Sequence, residues 1–248
     1  MLFRSGDTAQ IGLVHQYLKF HPWSFFNPLE AFPGYMLNEF LVDSVIQFLK
    51  TGTFTYSWIG YFTETYRAPI HASDIPSKQL CDFIGLNYYS RVLIECMISR
   101  LFTNEPVITS MPNLGETATD HYYAIYPEGI YKALQHLATI GLPIYVTENG
   151  IADHMTQNDY RRVRWIKEYI KAVSLAIEDG IDVRGYFYWT LVDNFEWDGG
   201  YIYNFGLYSN DRATQQRTLK DGGKVYASIV KSARAGNYSK HTKDLVLQ

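Results

Sequence analysis

Apolar residues along this chain gather into short runs that end abruptly in polar side chains. Four runs stand out: Gln10 to His15, Asp82 to Tyr89, Pro143 to Thr147 and Gly185 to Trp189. They are short and rich in β-branched and aromatic residues, so each reads as a buried strand. Between them the period changes. Leu37, Phe40, Leu41, Val45 and Phe48 recur at helical spacing, with Gly52 as the stop. Pro127-Glu128 opens a helix carrying Ile130, Leu134 and Leu137, closed by Gly141. Asn158-Asp159 precedes the longest helix, which places Val163, Ile166, Ile170, Val173 and Ile177 on one face and ends at Gly180. Asp221 is expected to cap a last helix carrying Val225, Ile229 and Val230. Strand and helix alternate, which predicts an α/β fold with parallel strands.

Two stretches break the pattern. Thr51 to Lys78 and Ser90 to Tyr123 show no clear period. Long irregular segments in compact domains are usually functional, so both are candidate loops at the catalytic end of the sheet. No repeat, low-complexity run or linker divides the chain, which is therefore expected to be one piece over residues 1–248.

The polar ends of the strands carry the chemistry. Glu148 is the first charged residue after Pro143-Ile-Tyr-Val-Thr147, and Asn149-Gly150 supplies a turn. Parallel α/β folds place their reactive groups at this end of a strand. The plainer alternative is a strand, a turn and a solvated glutamate. Gly185 to Trp197 begins as a strand and then crowds Asp193, Asn194, Glu196 and Trp197 together. Flat aromatic faces and carboxylates are what sugar rings and their hydroxyls require. An aromatic core strand with a charged loop explains Tyr186 and Phe187 well but Glu196 between two aromatics poorly.

Together these segments resemble glycoside hydrolase family 1, the β-glucosidase-like family. The resemblance rests on Asp82-Phe-Ile-Gly-Leu-Asn-Tyr-Tyr89, Ile125-Tyr-Pro-Glu-Gly129, Tyr145-Val-Thr-Glu-Asn-Gly150 and Gly185 to Trp197, in the family's order. Gly200-Tyr201, Phe205-Gly-Leu207 and Arg217-Thr-Leu-Lys-Asp221 extend it. It implies a (β/α)8 TIM barrel of which this chain holds the second half, strands five to eight, as a partial parallel barrel lacking the N-terminal half. It also implies a retaining β-glycosidase with Glu148 as nucleophile and a small-molecule β-glycoside as substrate. Tyr89 resembles the tyrosine that donates to the nucleophile, and Asn87 falls at the same strand end. Trp189 resembles the platform beneath the sugar, Glu196 and Trp197 the groups that read its hydroxyls, and Phe205 a wall of the pocket. Tyr88 is read as core.

Hydrolysis by this route needs a second carboxylate. In the family it lies in a Thr-x-Asn-Glu-Pro motif upstream of the nucleophile. Thr103-Asn104-Glu105-Pro106 lacks the intervening residue and comes after the Asn87-Tyr88-Tyr89 strand, so it reads as a chance match and the acid/base is expected outside this chain. His15 is left without a role. Thr190 stands where the family usually has Ser, and Asn204 where it often has Arg. A carboxylate at Glu196 suits neutral hydroxyls and repels phosphate, which argues against a 6-phosphosugar.

Length and composition change the picture only in part. A chain of 248 residues would suit one complete barrel, yet only four strands are legible. Hydrophobic residues make up 47% and charged residues 19%, with no apolar run near the roughly 20 residues of a membrane span. The net charge of −3 gives no footprint for nucleic acid. Cys81 and Cys96 are too few for a disulfide framework, and Met1-Leu-Phe-Arg-Ser-Gly is no secretory signal, so a cytoplasmic setting is expected. Neither paired His/Cys ligand spacing nor a Gly-rich phosphate loop is present, and neither metal nor cofactor is expected. The competing reading is a non-catalytic half-barrel that at most binds sugar or packs against a partner. Under either reading, exposed strand edges are expected to favour self-association.

Overall fold

The structure, a computed structural model, describes residues 9–58, 62–67, 80–96, 108–110, 116–121, 123–155 and 158–235. Its strands in chain order are β1 (Gly12–Gln16), β2 (Lys19–Pro22), β3 (Thr53–Trp58), β4 (Phe62–Arg67), β5 (Phe83–Asn87) and β6 (Arg91–Cys96). They continue with β7 (Ile108–Ser110), β8 (Ile144–Asn149), β9 (Val183–Tyr188), β10 (Tyr208–Asn210) and β11 (Arg217–Leu219). The helices are α1 (Pro28–Asn38), α2 (Ser44–Thr51), α3 (Pro127–Ala138), α4 (Tyr160–Glu178) and α5 (Asp221–Arg234).

The four strands legible from the sequence form one sheet in the order β1-β5-β8-β9, every pair parallel. It is an open arc with β1 at one edge and β9 at the other, consistent with part of an α/β barrel. Its helix-facing side packs into the hydrophobic core. Ile84, Leu86, Ile144 and Val146 are fully buried there against Ile130, Leu134 and Leu137 of α3 and Trp165, Ile166 and Tyr169 of α4. Trp165 stacks on Tyr169 with ring centroids 3.9 Å apart. The opposite, inner face carries Val14, Phe83, Tyr145 and Phe187. Phe83 lies over Gly12 and Tyr145 over Gly185, since a Cβ at either glycine would meet the neighbouring ring.

The aperiodic stretches hold more structure than expected. Within Thr51 to Lys78, β3 and β4 pair as an antiparallel hairpin. Within Ser90 to Tyr123, β6 pairs parallel to β2 and antiparallel to β7. Val92, Leu93 and Ile94 are a short apolar run between charged neighbours, too brief to read as a strand by itself. The first helical segment begins at Pro28, well before Leu37, with Asn27 accepting from the Leu29 N–H at 3.1 Å. A π-helical turn over Glu39–Asp43 joins α1 to α2, and Gly52 ends the segment at φ +71°, the left-handed conformation only glycine adopts freely. Asp221 is the first residue of α5, not its cap. Lys220 holds the N-cap position, and the Asp221 carboxylate takes the Lys224 ammonium at 2.7 Å. Thr103-Asn104-Glu105-Pro106 lies outside the described residues.

His21 on β2 packs its ring edge against Tyr126, centroids 6.5 Å apart. Burial, and then the charges of Arg91, Lys19 and Lys132, lower its pKa from 6.5 to about 4. The unfolded chain therefore takes up this proton first as pH falls. Stability should drop as pH goes from about 6.5 toward about 4, and be unaffected by this group above that window. Urea titrations through this window should show the loss in the wild type and a shallower one in His21→Gln; equal slopes would exclude the imidazole as its source.

Candidate active site

Because the four strands run parallel, their C-terminal ends lie on one rim. Asn87 ends β5, with Tyr89 two residues on; Glu148 sits near the end of β8, and Trp189 comes directly after β9. A β-bulge decides where Glu148 points. Leu86 pairs with Val146, but Asn87 pairs with Glu148, so Thr147 is an extra residue in β8. Against β9, Val146 pairs with Tyr186 and Asn149 with Tyr188, the same excess of one. Without it, alternation would send Glu148 to the helix side with Val146. Bulges re-aim side chains in this way beside active sites. The Thr147 hydroxyl donates to Asn87 Oδ1 at 2.7 Å, which ties the bulge to β5. Asn149 faces the core: its amide donates to the Tyr88 carbonyl at 2.7 Å, and its Oδ1 accepts from Trp165 and Tyr186.

Tyr89 donates its hydroxyl to Glu148 Oε2 at 2.8 Å. Burial, then the charge and hydrogen bond of Glu148 and the charges of Tyr123 and Glu196, push the phenol well above its ordinary range. Tyr89 is thus a fixed donor. Trp189 donates its indole N–H to Glu196 Oε1 at 3.2 Å. Phe205 is buried, its ring edge-on to Tyr89 at 6.1 Å. Glu148 and Phe205 are thus in contact through Tyr89. Trp189 and Glu196 form a second pair whose charge is felt at Tyr89, and Asn87 lies beside Glu148 in the strand register.

Trp197 stands apart. It is 87% exposed and its backbone has φ +40° in a short 3₁₀ turn, Trp197–Gly199. Tyr88 is core, its hydroxyl donating to the Tyr126 carbonyl at 3.1 Å. His15 also faces the helix side, beside Tyr17, with Nε2 buried and unpartnered among the described residues.

The rim loops are held by charged groups whose partners lie far away in sequence. Arg162 is fully buried at the start of α4. It donates to Asp159 Oδ2 (2.9 Å), the Asp153 carbonyl (3.1 Å), the Asn204 carbonyl (2.7 Å) and the Tyr188 hydroxyl (3.2 Å). Asp159 also accepts from the Gly222 N–H at 3.0 Å, so one ion pair joins the loops after β8 and before Phe205 to the start of α5. Lys220, likewise buried, meets Asp193 Oδ1 at 2.9 Å, and the same oxygen takes the Gly206 N–H at 2.7 Å. The Thr190 N–H donates to the Phe205 carbonyl, and the Thr190 carbonyl accepts from Leu207, which fixes the loop leading to Glu196. Gly150 lets the strands close: a Cβ there would stand 1.8 Å from the Trp189 carbonyl oxygen. The Trp189–Thr190 peptide is cis.

Sequence reasoning also missed Tyr123 and His121. Tyr123 lies 6.3 Å from Tyr89 and 4.8 Å from His121, which in turn meets Tyr203 at 4.4 Å. Burial, then Glu196, pushes the Tyr123 phenol up to about 12. Both residues sit in a stretch without a period, and the first local signal downstream of them is the helix start at Pro127. Asp120, Asp153 and His154 bring candidate metal-ligand atoms within 4.8 Å of one another. Arg161 already supplies positive charge there, donating to Asp120 at 2.8 Å and Asp153 at 3.4 Å, so the cluster serves as a latch between two rim loops.

The sequence profile of Glycosyl hydrolase family 1 matches residues 4–235. The chain is 37% identical over 163 residues to a 1,4-beta-D-glucan glucohydrolase of Thermotoga neapolitana, covering 62% of this chain and 36% of that protein. It is 35% identical over 257 residues to Beta-glucosidase 47 of Arabidopsis thaliana, covering 94% and 45%. The fold matches a beta-glycosidase from Pyrococcus horikoshii at TM-score 0.70 and 32% identity, over 90% of this chain and 48% of that one. A beta-glucosidase from Thermotoga maritima in complex with castanospermine matches at TM-score 0.68 and 28% identity, over 90% and 50%. The chain thus spans between about a third and half the length of these relatives.

Proposed function

Because the chain belongs to glycosyl hydrolase family 1, we propose that it carries the nucleophile and sugar-reading half of a retaining β-glycosidase, with Glu148 as nucleophile and a small-molecule β-glycoside as substrate. The observation that carries this reading is the Tyr89–Glu148 hydrogen bond at the parallel rim, 2.8 Å long. The Glu148 carboxylate attacks the anomeric carbon. The glycosidic C–O bond breaks, the leaving oxygen takes a proton from an acid, and water then hydrolyses the glycosyl ester. Tyr89 orients the attacking carboxylate. Trp189 lies under the ring, Glu196 and Asn87 take hydroxyls, and Phe205 closes the wall. Glu196 is itself held by the Trp189 N–H, so platform and hydroxyl reader move together.

The non-catalytic alternative draws on the chain's span, about half that of its solved relatives. Labelling separates the two. A dinitrophenyl β-glucoside has a leaving group that departs without a proton, so attack requires only the nucleophile. Mass spectrometry of rapidly quenched protein should show one glucosyl group, on the peptide holding Glu148. Tyr89→Phe removes one hydrogen bond to a charged group, worth about 1.5–3 kcal/mol, and should slow labelling roughly 10- to 100-fold. An adduct elsewhere would sink the assignment, and no adduct would favour the binding-only reading.

A further inference from the structure

Among the described residues no further strand pairs with β1 or β9 at the two edges of the sheet, and the side chains at these edges are complementary. Leu13 on β1 pairs with the core-facing Ile84 and so points to the helix side, yet it is 38% exposed. At the other edge, α4, β9 and α5 leave a cleft of about 480 Å³ lined by Ile177, Tyr186, Tyr226, Ile229 and Val230. On the inner face, Val14 of β1 is 53% exposed and Phe187 of β9 is 56% exposed. One edge offers an apolar knob, and the other a largely apolar hole with Arg184 and Arg234 also in its lining.

We propose that two copies of this chain close on each other into an eight-stranded parallel ring. A two-fold axis along the strand direction places β9 of each copy beside β1 of the other, at both seams. All eight strands then remain parallel, and the interface is isologous, as in most homodimers. The chain spans about half the length of its solved relatives, and its sheet has four strands where a closed parallel ring of this kind has eight, so a second identical arc is of the size to close it. An eight-stranded barrel has a shear of about eight, which divides evenly between two identical halves. Leu13 of one copy enters the cleft beneath α5 of its partner, while Val14 and Phe187 meet inside the ring. This pairing is independent of any catalytic role for Glu148.

Sedimentation and light scattering of the 248-residue chain test the proposal. The expected species has twice the chain mass of 28.7 kDa and does not grow with concentration. Leu13→Asp should return it to the monomer while its circular dichroism spectrum is retained. A variant carrying both Val14→Cys and Phe187→Cys should oxidise to a covalent dimer, and neither single substitution should. If Leu13→Asp does not fold, the cysteine pair decides alone. A wild-type monomer, an open series of larger species, or a dimer indifferent to Leu13→Asp and not cross-linked by the cysteines overturns the proposal. So does a chain that associates only with the remaining half of a relative's barrel.

Discussion

Glu148→Gln is expected to abolish release of dinitrophenol from dinitrophenyl β-glucoside, lowering the rate by about 10³-fold or more. The amide keeps the shape and can still accept from Tyr89, but it cannot attack the anomeric carbon. Glu105→Gln should leave the rate unchanged, since Thr103-Asn104-Glu105-Pro106 is read as a chance match. With an ordinary alkyl glucoside the wild-type chain should be far slower, because general acid assistance is worth about 10²–10⁴-fold and no acid has been assigned within it. Ready turnover of an alkyl glucoside, lost in Glu105→Gln, would reverse the assignment of the acid.

The largest effect on stability is expected at Arg162. Arg162→Met keeps the length of the side chain and removes the charge, leaving Asp159 fully buried without its counter-ion. Breaking one side of a buried pair costs about 3–5 kcal/mol. For a chain of this size that corresponds to a fall in Tm of roughly 6–20 °C. Adding Asp159→Asn should restore part of the loss by neutralising the stranded carboxylate. Calorimetry of the two variants measures this. A fall of only a degree or two in Arg162→Met would mean that water reaches the pair and screens it.

How much is legible in the sequence depends on the reach of each interaction. The four parallel strands and the helices α3, α4 and α5 are readable because each is written in a local period. Glu148 and Glu196 stand out because they come where such a period stops, whereas Tyr89 and Trp189 are singled out by the resemblance to the family. The bulge at Thr147 is not, since it exists only relative to the pairing partners Asn87 and Tyr188. Arg162 looks like an ordinary helical arginine, because its carbonyl partners at Asp153 and Asn204 lie in separate loops. Strand β6 is hidden for a similar reason: its partner β2 is four residues long and about 70 positions upstream. Trp197 shows a third case: the motif places it beside Glu196, and the 3₁₀ turn it opens leaves its ring exposed, which the sequence does not foretell.

Gly150 has a consequence for how this site can be altered, by selection or by design. With the Trp189 carbonyl occupying the space a side chain would need, positions 150 and 189 form an epistatic pair. A substitution at 150 is tolerated only if the backbone at Trp189 withdraws, and that withdrawal is expected to tilt the indole and its bond to Glu196. Libraries that randomise Gly150 alone should therefore return mostly glycine. At the proposed sugar site, altered preference is expected to be reached more readily through Glu196, whose side chain can change without moving either strand, than through Asn87, which holds the bulge at Thr147.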